Sequence, residues 1–323
     1  VAFKIKFWGT RGTVACPGPN HLAFGGNTSC IEVAMGGRRV IFDLGTGVRN
    51  LGKWFMRKQM REATVLMSHT HWDHIQGFPF FSPAFVEGHH FRIMAGHLDT
   101  GLPIQTVLAG QMTHPFFPVP IDIMKAQIEF VDFRAGETFS LSNDIRVRTA
   151  PLNHPDGATG YRLEYQGKSM CYITDTEHTP GKPDQNILAL VEGADLMIYD
   201  STYTDHEFPA KRGWGHSTWQ EGMRLARAAN VKRLGIFHHD PDHEDHFMEE
   251  VEASALSASV GSSPPGRAGS RVAAGLSSAF GGPSIAGIRC TAGRGGRAEA
   301  RRCSASLSGS MVSPNLALAA VYS

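Results

Sequence analysis

Residues 68–77, SHTHWDHIQG, put three histidines and an aspartate within the six positions from His69 to His74, directly after the apolar run Ala63–Met67. In an extended segment alternate side chains share a side, so His69 and His71 face together and can grip one metal ion. Asp73 and His74 follow where the chain must turn, and aim at a second position nearby. Divalent metals take neutral imidazole and ionised carboxylate, both available near pH 7. A solvated histidine-rich loop is the plain alternative, and the HxHxDH spacing argues against it.

One loop supplies too few donors to close two metal positions. Further candidates each sit just after a run that reads as a strand: His154 in APLNHPDG after Ile145–Ala150, Asp175 in YITDTEH after Lys168–Thr174, and His238 in GIFHHDP after Val231–Phe237. Singly, each has an ordinary reading: His154 as a turn residue, Asp175 as a cap, His238 or His239 as part of a solvated segment with Asp240, Asp242 and His243. Their repeated position at strand ends gathers them on one edge of a sheet structure.

Other short runs rich in Val, Ile, Phe and Tyr, bounded by Gly, Pro, Asn or Asp, predict strands at Phe3–Phe7, Cys30–Met35, Arg39–Asp43, Phe91–Ala95, Ile128–Phe133, Thr159–Tyr165 and Leu196–Tyr199. Helices are expected at Val48–Lys58, Thr100–Ala109, Asp184–Val191 and Thr218–Ala229, the last opened by a capping box of Ser217 and Gln220. Many strands with helices interspersed predict two sheets with helices outside.

With 323 residues, 41% of them hydrophobic, the chain can build a substantial core. A net charge of +1 gives no global field for nucleic acid or anionic membrane, so an anionic substrate must be recognised locally. No apolar run reaches the roughly 18 to 20 residues of a membrane span, and the start VAFKIKFWGT lacks a basic-then-apolar leader. A cytoplasmic protein is expected. Cys16, Cys30, Cys171, Cys290 and Cys303 are scattered and include no CxxC pair, which makes reduced thiols the default. Beyond Ala253 the sequence has no Lys, Asp or His and turns Ala/Gly/Ser/Arg-rich. Residues 1–252 therefore read as the catalytic domain and 253–323 as a low-complexity, disordered tail. Our hypothesis for that tail is out-of-frame translation of a GC-rich gene, against a natural flexible extension; a clean reading frame on resequencing ends the frameshift idea.

The order HTHWDH, His154, Asp175 and His238 resembles the metallo-β-lactamase-fold hydrolases over nearly all of residues 3–250. The resemblance implies an α+β chain folded as a four-layer αββα sandwich with a two-metal site at one edge. Carried over by position, it implies His69, His71 and His154 at the first metal, Asp73, His74 and His238 at the second, and Asp175 between them. His239 is the rival for His238, which comes first off its strand. Asp43 in IFDLGTG matches the family's short aspartate motif, expected to brace the metal-binding loop.

The segments LMIYDSTYT and GHSTWQEG resemble the acidic and HST motifs of the ribonuclease Z-like and cyclic-phosphodiesterase branch, with Asp200 orienting His216. The resemblance implies a dinuclear hydrolase of a small or cyclic phosphodiester. Two divalent ions, zinc by preference with manganese or iron admitted, would activate a bridging water, and His216 would act as general acid beside Asp73 and Asp200. The alternative for Asp200 and His216 is a turn cap and a residue that merely precedes a helix. Ribonuclease Z enzymes hold tRNA with a Gly/Lys-rich arm, whereas the stretch between Phe78 and Ile128 is apolar with only Arg92 and Lys125 as fixed cations. A compact pocket for a small substrate is therefore expected. Nucleic acid is not favoured as a partner, and oligomeric state stays open, a homodimer included. Met112, Phe116 and Phe117 are candidate pocket walls, with ordinary loop packing as the alternative. Arg11 is a candidate phosphate contact, but a structural salt bridge is the safer default for a lone arginine. An acyl hydrolase acting on a lactam, lactone or thioester and an RNA 3′-processing endonuclease are the competing activities. A diiron redox enzyme of the same fold usually carries Glu where His71 stands, and a binding protein would have lost donors.

Overall fold

The computed structural model describes residues 3–98, 101–260, 284–286 and 303–306. One sheet contains β1 (Phe3–Gly9), β2 (Cys30–Met35), β3 (Arg38–Phe42), β4 (Glu62–Met67), β5 (His90–Ala95) and β6 (Gln127–Asp132). The other contains β7 (Thr138–Ser142), β8 (Ile145–Leu152), β9 (Ala158–Tyr165), β10 (Lys168–Ile173), β11 (Leu196–Asp200) and β12 (Arg233–Phe237). Two short edge strands complete them: β13 (Ser284–Ala286) pairs parallel with β12, and β14 (Cys303–Ser306) antiparallel with β1. The rest of 261–323 lies outside the described residues, so the tail expected from composition has no structural account there.

Helices α1 (Gly47–Lys58), α2 (Trp72–Ile75) and α3 (Ile104–Gly110) accompany the first sheet, and α4 (Gln185–Val191), α5 (Trp219–Ala228) and α6 (Asp245–Val260) the second. Phe7, Val33, Phe42, Leu66, Val147, Leu163, Tyr172 and Ile198 meet between the sheets. Val48, Leu51 and Phe55 of α1 pack on the outside of the first sheet, and Leu190, Met223 and Val251 of α4, α5 and α6 on the outside of the second. The layers are thus helix, sheet, sheet, helix, the αββα order expected. Full burial of one such side chain, Phe42 for example, contributes about 1.5–3 kcal/mol. Among the described residues no helix is long and apolar enough to cross a membrane.

Three helices depart from expectation. Helix α3 starts at Ile104, after Pro103 at its N-cap, where Thr100 was expected to begin it. Thr218, not Ser217, caps α5, its hydroxyl accepting the Glu221 N–H; the Ser217 hydroxyl is engaged instead with His178 and Tyr199. Helix α6 runs eight residues past Glu252 into the segment assigned to the tail. Burial of Met248, Val251 and Ala255 against the second sheet, and an Asp245 carboxylate that accepts the N–H groups of Leu22, Ala23 and Phe24, supply what local composition lacks.

Strand direction positions the site. Strands β3 to β6 run parallel, as do β10 to β12, and β8 shares the direction of β10 through antiparallel β9. Their carboxyl ends converge on one edge, the usual place for a site in sheets of this kind.

Candidate metal centre

Every donor expected from sequence lies at that edge. His69 and His71 leave β4, and Asp73 and His74 sit in the single turn of α2. His154 follows β8, Asp175 follows β10, Asp200 ends β11 and His238 follows β12. Asp43, Asp175 and His238 adopt left-handed backbone, with φ of 58°, 58° and 62°. This conformation is uncommon outside glycine, and it turns each side chain sharply at its strand end.

The side chains gather into two overlapping groups, His69, His71 and His154, and Asp73, His74, Asp175 and His238, with donor atoms inside each group within 4.8 Å of one another. Asp175 faces both. Its Oδ1 lies 3.6 Å from His69 Nε2, 3.8 Å from His154 Nε2 and 3.4 Å from His238 Nε2, and its Oδ2 lies 3.3 Å from His74 Nε2.

Surrounding hydrogen bonds fix which ring nitrogen faces inward. His74 Nδ1 donates to Asp43 Oδ2 (2.8 Å), His154 Nδ1 to the Gly215 carbonyl (2.8 Å), and His238 Nδ1 to Thr202 Oγ1 (3.0 Å), whose own proton goes to Asp200. In the neutral rings each Nε2 then presents an inward lone pair. His74 Nε2 and His238 Nε2 stand 3.3 Å apart, His71 Nδ1 and His154 Nε2 3.1 Å apart, and His69 Nε2 is buried without a hydrogen-bond partner. Facing lone pairs repel unless a proton or a metal ion lies between them; without metal His74 carries such a proton, and the donor set fits metal ions in its place.

The charges agree. Burial, the largest influence on His74, disfavours its charged ring, yet the Asp73, Asp175 and Asp43 carboxylates hold it well above the ordinary imidazole range. Burial also opposes ionisation of Asp73 and Asp175, but the surrounding histidines keep both well below the ordinary carboxylate range. His69 is held well below its ordinary value, first by burial and then by His74. The pocket selects positive charge at its centre.

His216 stands beside the donors, its Nδ1 3.0 Å from Asp200 Oδ2 and 3.7 Å from Asp175 Oδ1, its ring stacked on His238. Burial works against its charge, but Asp200 and Asp175 raise it to about 9. Asp200 is itself held by the Thr176 and Thr202 N–H groups and the Thr202 hydroxyl. Thus the pair is built into the site, beyond a turn cap or a pre-helix residue.

Asp43 accepts from the Ser68 N–H (2.7 Å), the Ser68 hydroxyl (2.7 Å), His74 and the Tyr172 hydroxyl (2.8 Å), tying the first residue of the histidine loop to the facing sheet. His239, the rival of His238, turns away: its ring packs edge-on to Phe24.

The four expected pocket residues are corrected. Arg11 is fully buried, and its guanidinium is consumed by the carbonyls of Gly25, Asp240 and His243, so it cannot meet a substrate. Met112 is buried with Ile104 and Leu108 in the core beneath α3. Phe117 packs on Phe80 and only Phe116 projects into solvent, so residues 112–117 form no common wall. A cleft of about 220 Å³ lined by Arg38, Glu62, His90, Arg92 and Gln127 lies at the amino-terminal starts of β3 to β6, the end opposite the donors.

Sequence reading missed two supports. The Thr13 N–H, from a left-handed residue, donates to Asp73 Oδ2 (2.8 Å), and Thr202 links Asp200 to His238. A backbone N–H carries no residue signature; Thr202 lies within the acidic motif and was findable there.

A family profile for the β-lactamase superfamily domain matches residues 38–239, a span that holds every donor named above. A ribonuclease Z from Bradyrhizobium sp. (strain ORS 278) is 25% identical over 303 residues, covering 79% of this chain and 94% of that protein. Among solved structures, the metallo-β-lactamase-fold protein YhfI from Bacillus subtilis superposes with a TM-score of 0.60 at 17% identity, covering 79% of this chain and 92% of that one. The short form of human tRNase Z does so with a TM-score of 0.55 at 19% identity, covering 74% and 93%.

Proposed function

Because this chain belongs to the β-lactamase superfamily, we propose that it is a metal-dependent phosphodiesterase acting on a small or cyclic phosphodiester. His69, His71 and His154 would hold one divalent ion, Asp73, His74 and His238 a second, and Asp175 would lie between them. The histidine-rich donor set favours zinc, and its carboxylates admit manganese or iron. Bound there, such ions supply Lewis acidity and lower the pKa of water.

The observation that carries the reading is the Asp200–His216 pair. A half-buried imidazole whose charged form is favoured by Asp200, with its Nδ1 committed to that carboxylate, has Nε2 left to donate a proton to a departing alkoxide. Asp200 sets the tautomer and stabilises the imidazolium, and Thr202 and the Thr176 N–H keep Asp200 ionised and in place. Asp43 and Thr13 hold the loop that presents His74 and Asp73.

The test is a substrate panel with zinc-loaded protein: bis(p-nitrophenyl) phosphate, 2′,3′- and 3′,5′-cyclic nucleotides, a lactam and a thioester. Turnover of diesters alone is expected; turnover of the acyl substrates alone overturns the proposal. A second reading, RNA 3′-end processing, is favoured by the ribonuclease Z relative, which aligns over 94% of its length. A precursor tRNA with a 3′ trailer belongs in the same panel, and its cleavage in preference to the cyclic nucleotides would select that reading.

A further inference from the structure

Trp214 lies in the segment Lys211-Arg-Gly-Trp-Gly-His216 and is 61% exposed, two residues before the proposed proton donor. Its surroundings are fixed. Glu177 Oε2 accepts the N–H of Gly213 (2.7 Å) and of Gly215 (2.9 Å), bracketing the tryptophan with one carboxylate. The Gly215 carbonyl in turn accepts from His154 Nδ1. Gly213 and Gly215 have φ of 86° and 84°, and a Cβ on Gly215 would come 2.4 Å from His154 Nδ1 and 2.5 Å from Pro155 Cδ. Only glycine serves on both grounds. The backbone that carries the indole is therefore anchored beside His154, a candidate metal donor.

The same side of the site is its open side. His71 keeps 43% of its side chain exposed and neighbouring Asp156 85%, while Asp73, His74, Asp175 and His238 are enclosed. Lys211 Nζ sits 4.6 Å from the centre of the Trp214 ring, which places an ammonium on one face. The high exposure of the ring leaves the other face to a ligand. An exposed aromatic face on an anchored backbone, with an adjacent cation and beside a site for phosphodiester cleavage, matches the way proteins hold nucleotides by stacking.

We propose that Trp214 is a base-stacking subsite, so that the preferred substrates are phosphodiesters carrying a nucleoside next to the scissile phosphate. This rests on the phosphodiesterase reading. Glu177 is a positioning residue, acting through the two glycine N–H groups.

Two coloured diesters with one leaving group test it: thymidine 5′-(p-nitrophenyl phosphate) and methyl p-nitrophenyl phosphate. Exposed stacking of this kind supports a loss of about 5- to 10-fold in the preference for the nucleoside ester, as a ratio of kcat/KM values, for Trp214→Ala, largely restored in Trp214→Phe. An equal fall on both esters, or an unchanged ratio, overturns the proposal. Calorimetric binding of AMP against ribose 5-phosphate to the zinc-loaded protein gives a second reading. A base-dependent gain in wild type that disappears in Trp214→Ala supports the subsite even if neither ester turns over, in which case the phosphodiesterase reading alone fails. No such gain overturns the subsite.

Discussion

Replacing Asp43 by Asn tests how the metal-binding loop is braced. The position is left-handed, with φ of 58°, a conformation Asn also accepts, so the backbone is undisturbed and charge and hydrogen bonding alone change. Asp43 Oδ2 accepts from Ser68 Oγ, His74 Nδ1 and Tyr172 OH, and Oδ1 from the Ser68 N–H. An amide has one acceptor oxygen, so its NH₂ must face either the immovable Ser68 N–H or the three donors on the other side. The hydroxyls can rotate away; the Ser68 N–H cannot. Losing one charge-assisted hydrogen bond and leaving a buried donor unmet costs about 2–4 kcal/mol, which for a domain of this size is a Tm lower by about 5–10 °C. His74 also loses the carboxylate that aims its Nε2, and removal of such a partner typically weakens metal affinity by about 10- to 100-fold. Thermal unfolding in chelator measures the first effect and competitive zinc titration the second. An Asp43→Asn variant with wild-type Tm and wild-type zinc affinity would refute the bracing role.

Further outcomes follow from other parts of the structure. Asp200→Asn removes the charge that raises His216, so the basic limb of the kcat–pH profile is expected to move to lower pH; an unmoved limb contradicts His216 as the proton donor. Asp195 is buried, and although burial alone would raise its pKa, Lys232 and the Ser169 N–H hold it below the ordinary carboxylate range. Its stabilising contribution is therefore present above about pH 4 and lost as pH falls through the depressed value. The stability gap between wild type and Asp195→Asn in urea titrations should shrink below pH 4; a gap that widens there would reverse the sign of the linkage. Arg11→Ala leaves carbonyls of Gly25, Asp240 and His243 unmet and is expected to cost about 3 kcal/mol or more in stability. A stable variant with only a raised KM would return Arg11 to the substrate site.

The histidine loop was legible because metal chemistry constrains both residue type and spacing, and the same holds for Asp175 and His154 at strand ends. The choice between His238 and His239 was not, since it rests on one left-handed φ that turns His238 inward and leaves His239 against Phe24. The structural role of Arg11 was readable but its partners were not, because they are backbone carbonyls from distant segments, which leave no mark in a sequence. In the HST run two adjacent hydroxyls could each cap α5, and only tertiary structure, by engaging Ser217 with Tyr199 and His178, leaves the cap to Thr218. Helix α6 escaped notice for a related reason: its apolar residues form no clear stripe, and docking on the second sheet holds it.

If these seven donors form a two-metal hydrolytic site, the rate of bis(p-nitrophenyl) phosphate hydrolysis, followed as zinc is added to metal-free protein with bound metal counted at each step, climbs to a plateau at two bound ions per chain and stays absent in His69→Ala. Full activity without bound metal, or an inactive protein with both ions bound, would contradict the two-metal reading.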